Sequence, residues 1–428
     1  MKSMSILFGD IKKSIEKGFL HIVTSEVINR AGRFLSAVIV VRLLTKTSYG
    51  SFSYAYNILQ LFLLVNGLGV YYAILQFSSE TDDLKRRHSF LKLGLKIGGV
   101  FNIFIFLAII LFVLLFDLPL KSSDEVLLLL CMMPLVTLFF DVMNTYFRAS
   151  LRNREFSYFN ITHSVLFIVG TVVGGYFFQI PGIIVGRYLA FIAVILFGFW
   201  MFRSEVKGIY RAAGLAVKEK WDFIKYALTV ALTNSISQIL YILDVFLVGL
   251  IISSEAVVAS YKTATVIPFA LAFVPNSIVI FIYPYFARNL GNKKRLKRYF
   301  FKIFGYLVFF NLLVSIFLIV YAPLIIRIVF GVQYLDAVLP FRILSLGYFI
   351  SGSFRILAGN VLASLRKVKF NLLNSTFTGL SNIILNIILI RRMGSVGAAV
   401  ATVAVLLLSS IASNVYLYLY FRKNNKMS

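Results

Sequence analysis

Apolar runs of membrane-spanning length alternate with short charged clusters along the whole chain. A helix needs about 20 residues to cross the hydrocarbon core. Read between the charge clusters, the runs predict twelve spans, near 18–44, 49–77, 90–116, 125–147, 157–178, 182–202, 223–252, 256–287, 300–322, 337–363, 371–390 and 395–421. The pattern specifies an all-α polytopic membrane protein. Outward loops are short, and the longest, 322–338, reads as an interfacial amphipathic turn.

Basic residues crowd alternate loops. One set contains the N-terminal segment 2–17, Lys85-Arg86-Arg87, Arg148/Arg152/Arg154, the stretch from Arg203 to Lys225, Arg288 to Lys302, Arg366/Lys367/Lys369 and Arg422/Lys423/Lys426. The opposite set holds Lys46, Lys121, Arg327, Arg391 and Arg392. Basic flanks stay cytoplasmic, so both termini are expected inside.

Composition agrees. The 428 residues are 60% hydrophobic and 14% charged, against roughly 45–50% and 25% for a soluble domain. The formal net charge of +26 reads as orientation signal and attraction to anionic membrane lipids rather than as a nucleic-acid footprint. The first span carries Glu26, Asn29, Arg30 and Arg33 and is expected to be a retained helix, not a signal peptide. A single cysteine, Cys131, permits no intramolecular disulfide, and His21, His88 and His163 lack metal-ligand spacing.

Two short patterns recur in the two halves. SAVIVVRLLTKTSYGSFSYAYN (36–57) parallels DVFLVGLIISSEAVVASYKTAT (244–265), each an apolar helix end, a polar turn and a helix entered through Ser53-Tyr54 or Ser260-Tyr261. ASLRNREFSYFN (149–160) matches ASLRKVKFNLLN (363–374), with Phe156/Phe370 and Asn160/Asn374 in register. Halves of six spans both enter from the cytoplasm. That predicts parallel repeats, two pseudo-symmetric six-helix lobes (1–210 and 211–428) around a central cavity. On these features the chain resembles the polysaccharide transporter (Wzx-type flippase) branch of the MATE/MOP superfamily. The resemblance implies a flippase that carries an undecaprenyl-pyrophosphate-linked oligosaccharide, such as an O-antigen or capsule repeat unit, from the cytoplasmic to the periplasmic face by alternating access. Its partners would be that lipid-linked substrate, membrane lipids and other polysaccharide-assembly proteins.

Six cations lie inside the spans: Arg30, Arg33, Arg187, Lys262, Arg342 and Arg355. A charge at the bilayer centre costs about 3 kcal/mol on insertion scales, so it marks a partner or a substrate path. On span 1, Glu26, Asn29, Arg30 and Arg33 share an arc of roughly 100°. Glu26 can pair with Arg30 four residues on, which leaves Arg33 for a pyrophosphate oxygen that a planar guanidinium matches. The alternative is a packing salt bridge. Substrate-binding candidates are therefore Arg30, Arg33, Arg355, Lys262, Arg187 and Asn29. Arg187 and Lys262 line a cavity or anchor at the interface, and Arg342 reads as an anchor. Asp244, aligned on span 7 with Asn234, Ser237, Gln238 and Tyr241, is an ion-coupling candidate with Glu26, or else polar glue between helices. Asp141, Asn144 and Arg148 read as a network at a helix end, and Asn371, Asn374, Ser375, Thr378, Ser381, Asn382 and Asn386 form a polar stripe on span 11 that contacts sugar hydroxyls or hydrogen-bonds neighbouring helices.

No nucleotide-binding loop of the form GxxxxGK[ST], GxSxG elbow or paired-carboxylate loop occurs, so neither a cofactor, a metal nor enzymatic activity is expected. A MATE-type cation-coupled exporter of small molecules is the alternative function on the same architecture. The excess of embedded bases over embedded acids argues for the anionic passenger.

Overall fold

The computed structural model describes residues 19–120, 122–203, 205–288, 293–365 and 367–422, without side chains at 19–26, 237, 240, 241, 280–285, 287, 288, 293–295 and 368. Among the described residues every element is helical. In chain order they are α1 (Phe19–Leu43), α2 (Lys46–Leu63), α3 (Val70–Ser79), α4 (Leu84–Leu115), α5 (Ser123–Leu130), α6 (Met133–Ala149), α7 (Asn153–Met201), α8 (Val206–Tyr210), α9 (Val217–Ile252), α10 (Glu255–Leu271), α11 (Phe273–Arg288), α12 (Lys293–Val320), α13 (Ala322–Ile325), α14 (Val338–Ile350), α15 (Ile356–Ser364) and α16 (Val368–Arg422). The all-α polytopic class expected from the hydropathy pattern is the class observed.

By length and composition, seven described helices can cross a bilayer, and the bent pair α5–α6 makes an eighth. Two of the seven are far too long for one crossing. The 49 residues of α7 and the 55 of α16 extend roughly 70–80 Å at 1.5 Å per residue, against a core of about 30 Å. Each turns back at one left-handed residue, Gln179 (φ 53°) in α7 and Gly394 (φ 60°) in α16. These are helical hairpins. Counting both arms of each, and adding α1 (25 residues) and α9 (36 residues), accounts for the twelve expected spans among the described residues.

Glycine sets how closely the α7 arms approach. A Cβ added at Gly174 meets the backbone carbonyl of Gly182, one at Gly182 meets that of Gly174, and Gly170 and Gly186 face each other in the same way. The α16 hairpin has one such point, where Gly397 faces the carbonyl of Leu389. Both hairpins follow the Ala-Ser-Leu-Arg segments at 149–152 and 363–366, the positions at which the two halves of the sequence match.

The residues group into two compact units. The first is 1–44, 58–117 and 122–235, and the second is 45–57, 118–121 and 236–428. In the first unit, Asn66, Gly67, Leu68 and Gly69 form a tight turn between α2 and α3, with positive φ at residues 67, 68 and 69. Asn102 of α4 holds this break. Its Oδ1 accepts the Gly67 N–H at 2.6 Å, and its Nδ2 donates to Asn66 Oδ1 at 2.7 Å and to the Pro134 carbonyl. Asn66 in turn donates to Asp141 Oδ2 at 3.1 Å. Asp141 therefore braces a broken helix rather than serving only a helix end.

The first twelve residues of α2 pack in the second unit. Lys46 Nζ donates to both oxygens of Asp336 at 2.8 and 2.7 Å and to the Gln333 carbonyl, while Ser260 donates to Asp336 Oδ2. Tyr49 meets Tyr334 edge-on, and Tyr54 stacks on Phe246. The expected interfacial turn at 322–338 comprises α13, a π-helical turn (Ile326–Phe330) and a 3-10 stretch (Val332–Ala337) hinged at Gly331. A core of Phe286, Phe300, Leu307, Leu357, Leu362 and Phe421 ties α11, α12, α15 and α16 together.

Candidate functional site

Helical phase places three of the span 1 candidates side by side, and packing separates them. Asn29 donates to Asn160 Oδ1 at 2.8 Å and accepts from Ser164 at 2.5 Å, so its amide is engaged with α7 at both ends. Gly32 sits against Ser164, and Ser36 donates to Thr171. This face of α1 is a helix–helix seam. Arg30 and Arg33 lie beside it and are exposed. Among the described residues Arg33 has no hydrogen bond or ion pair; it lies close enough to His163 to act on it electrostatically. The side chain of Glu26 lies outside the described residues.

Arg187 is 5% exposed and lies within the α7 hairpin, over the Phe167 ring at 4.8 Å and within 3.5 Å of the Thr171 hydroxyl. Both partners are on the other arm. A desolvated cation–π contact of this kind contributes about 2 kcal/mol, so Arg187 clamps the hairpin that the glycines bring together. Arg342 donates to the Ile319 carbonyl at 3.0 Å and remains exposed.

In the second unit, Arg355 ends a π-helical turn, Ser351–Arg355, and donates to Ser409 Oγ at 3.3 Å. Asn374 donates to Ser409 and Ser413 from the first arm of α16. A π-turn widens the helix and often lies at a functional position. Lys262, half-buried on α10, has no counter-charge among the described residues, and its neighbour Tyr261 is fully buried.

Among the described residues Asp244 is the most fully enclosed carboxylate. It is 1% exposed, accepting from Asn386 Nδ2 at 2.8 Å, from the Tyr261 hydroxyl at 3.3 Å and from the Thr402 hydroxyl. Asn382 lies beside it. An isolated buried charge is expensive, and hydrogen bonds to the carboxylate offset that cost. The side-chain oxygens of Asn382 and Asn386 are buried without a donor. Carboxylate, amide and hydroxyl oxygens together suit a hard cation or a proton, not a transition metal. No group of three His, Cys, Asp or Glu side chains gathers among the described residues.

The sequence did not point to Thr402, whose surroundings GAAVATVAV are otherwise apolar and small. Asn382 and Asn386 were visible as part of the span 11 stripe, but not their shared orientation toward Asp244. The brace Asn66–Asn102–Asp141 was also missed. Its signal was the Asn-Gly-Leu-Gly sequence inside an apolar run, since such residues accept left-handed backbone.

The sequence profile of a family described as polysaccharide biosynthesis protein matches residues 39–339. The chain belongs to that family. A search of curated proteins finds no match. Among solved structures the chain is similar to the lipid II flippase MurJ in an inward closed conformation, at 16% identity and TM-score 0.75 over 93% of this chain and 87% of that one. It is similar also to an inward-facing multidrug resistance MATE family transporter of the MOP superfamily, at 15% identity and TM-score 0.76 over 95% and 99%. A third is a MOP superfamily transporter from Pyrococcus furiosus, described as having a binding pocket of reverse polarity, at 15% identity and TM-score 0.64 over 97% of each chain. The fold is thus the two-lobe fold of MOP superfamily transporters, as the polysaccharide transporter resemblance implied.

Proposed function

We propose that this family member is a flippase for a polyprenyl-pyrophosphate-linked oligosaccharide, moving it from the cytoplasmic to the outer face of a bacterial inner membrane by alternating access. The observation that carries the reading is the pair Arg30 and Arg33, exposed on a membrane helix whose neighbouring face is fully used in packing. Two guanidiniums one turn apart match the geometry and charge of a pyrophosphate. Arg355 and Lys262 are further candidates for the anionic passenger, and Asp244 with Asn382, Asn386 and Thr402 is the candidate ion-coupling site. Both termini are cytoplasmic in this reading, and other polysaccharide-assembly proteins supply the substrate and take it up.

The exporter alternative needs a carboxylate that a cationic passenger can reach. Asp244 is enclosed on every side by its hydrogen-bond donors, which favours a small ion there over an organic cation. The decisive experiment is complementation. In a strain lacking the native gene, an Arg30→Ala/Arg33→Ala variant expressed at normal level is expected to abolish assembly of the surface polysaccharide. Full assembly by that variant sinks the proposal.

A further inference from the structure

A groove of about 570 Å³ in the first unit lies between α4 and the stretch from Ala212 to Ile224. Its wall is pinned. Lys92 Nζ donates to the carbonyls of Tyr210 at 2.7 Å and Ala212 at 3.0 Å, and Glu219 accepts the Ala216 N–H at 3.1 Å. Between α8 and α9 the sequence Ala-Ala-Gly-Leu-Ala (212–216) places small side chains beside α4, and these leave the space open.

Lys92, Lys96 and Lys220 line one part of the groove, and Val100, Phe101 and Phe104 line another. The ammonium groups of Lys96 and Lys220 form no ion pair or hydrogen bond among the described residues, so the groove carries unneutralised positive charge. Along α4 the positions 92, 96, 100 and 104 are four apart and share one face. Val100 and Phe104 are 52% and 62% exposed, and Leu107, Leu111 and Leu114 continue the exposed apolar surface. From Lys96 to Leu107 is roughly 16 Å at 1.5 Å per residue, about the hydrocarbon depth of one leaflet.

We propose that this groove binds an anionic phospholipid, its phosphate between Lys96, Lys220 and Lys92 and an acyl chain along Val100, Phe104 and Leu107. Charge complementarity selects the headgroup, and the apolar face selects a hydrocarbon tail over a free anion. A glycan is disfavoured. The one hydroxyl in the lining, that of Ser89, already donates to the Lys85 carbonyl, so sugar hydroxyls would find only lysines. None of Arg30, Arg33 and Asp244 lines the groove, and the site places a lipid-sensitive contact on the segment joining α8 to α9.

The test is native mass spectrometry of the full chain in detergent, titrated with phosphatidylglycerol, with phosphatidylcholine of the same acyl chains, with polyprenyl phosphate and with inorganic phosphate. Phosphatidylglycerol is expected to bind at least tenfold more tightly than phosphatidylcholine. Each lysine near an anionic headgroup contributes about fivefold. A Lys96→Gln/Lys220→Gln variant should therefore lose about 25-fold for phosphatidylglycerol and nothing for phosphatidylcholine. Lys220→Gln alone should lose about fivefold, which covers misfolding of the double variant, and Lys297→Gln/Lys302→Gln on another basic segment should leave binding unchanged. Equal affinity for the two phospholipids, an unchanged Lys96→Gln/Lys220→Gln variant or an equal loss in the Lys297/Lys302 control overturns the assignment. So does displacement of the lipid by inorganic phosphate at similar concentration, or tighter lysine-dependent binding of polyprenyl phosphate.

Discussion

Replacing Gly174 with alanine isolates the close contact on which the α7 hairpin depends. The added Cβ overlaps the carbonyl of Gly182, a backbone atom that has no rotamer through which to withdraw. To restore a normal carbon–oxygen contact of about 3.3–3.6 Å, the arms must part by roughly 1 Å or more. Overpacking of this kind costs about 1–3 kcal/mol, and a rigid backbone neighbour places it toward the upper end. Alanine returns about 0.5–1 kcal/mol through its better helix propensity. The net expectation is a loss of about 2 kcal/mol. Gly99→Ala is the reference, because a Cβ there has no atom within 4 Å, and it should gain about 0.5–1 kcal/mol.

Unfolding of the purified variants in mixed micelles, titrated with denaturing detergent and followed by loss of helicity, measures both changes. The double variant Gly174→Ala/Gly182→Ala should cost less than the sum of its parts, since either substitution alone already separates the arms. Because α1 rests on α7 through Asn29, Gly32 and Ser36, separation should also lower polysaccharide assembly at normal expression by displacing Arg30 and Arg33. A Gly174→Ala protein as stable as Gly99→Ala refutes the reasoning.

Two further outcomes test the buried networks. Asn102→Ala removes the acceptor for the Gly67 N–H and the donors to Asn66 and Pro134, and at about 1 kcal/mol per bond should cost about 3 kcal/mol in the same unfolding assay; a loss below about 1 kcal/mol would show that the helix break holds itself. For Asp244, a sodium titration should raise the melting temperature of the native protein and leave Asp244→Ala unmoved, since a ligand at 100 times its Kd stabilises by about 2.7 kcal/mol. If the two proteins respond alike to sodium while a pH titration separates them, the site holds a proton instead.

Much of the fold was legible because span length and charge spacing are one-dimensional properties. The run VLFIVGTVVGGYFFQIPGIIVGRYLAFIAVILF divides into two spans on length alone, and the structure bends it at Gln179. The Ala-Ser-Leu-Arg match likewise marked the entry to each hairpin. The candidate site was less legible. Asn29 and Arg33 are only about 40° apart on a helical wheel, yet one is bonded into α7 and the other is exposed. Arg187 looked equally suited to a cavity or an interface, and the seam between two arms was not foreseen because glycine contacts depend on how the chain folds back.

The sequence by itself determined the number of crossings, their charge asymmetry, the internal repeat and the roster of embedded charges. All of these follow from hydrophobic length and helical periodicity, which act within one segment. Only the tertiary structure decided which charges meet a partner. Asp244 is completed by Asn386 and Thr402, 142 and 158 residues away in the chain. Helical phase fixes directions around a single axis, whereas the neighbour found in each direction is set by packing between axes, and that is what separates a buried brace from an exposed arginine.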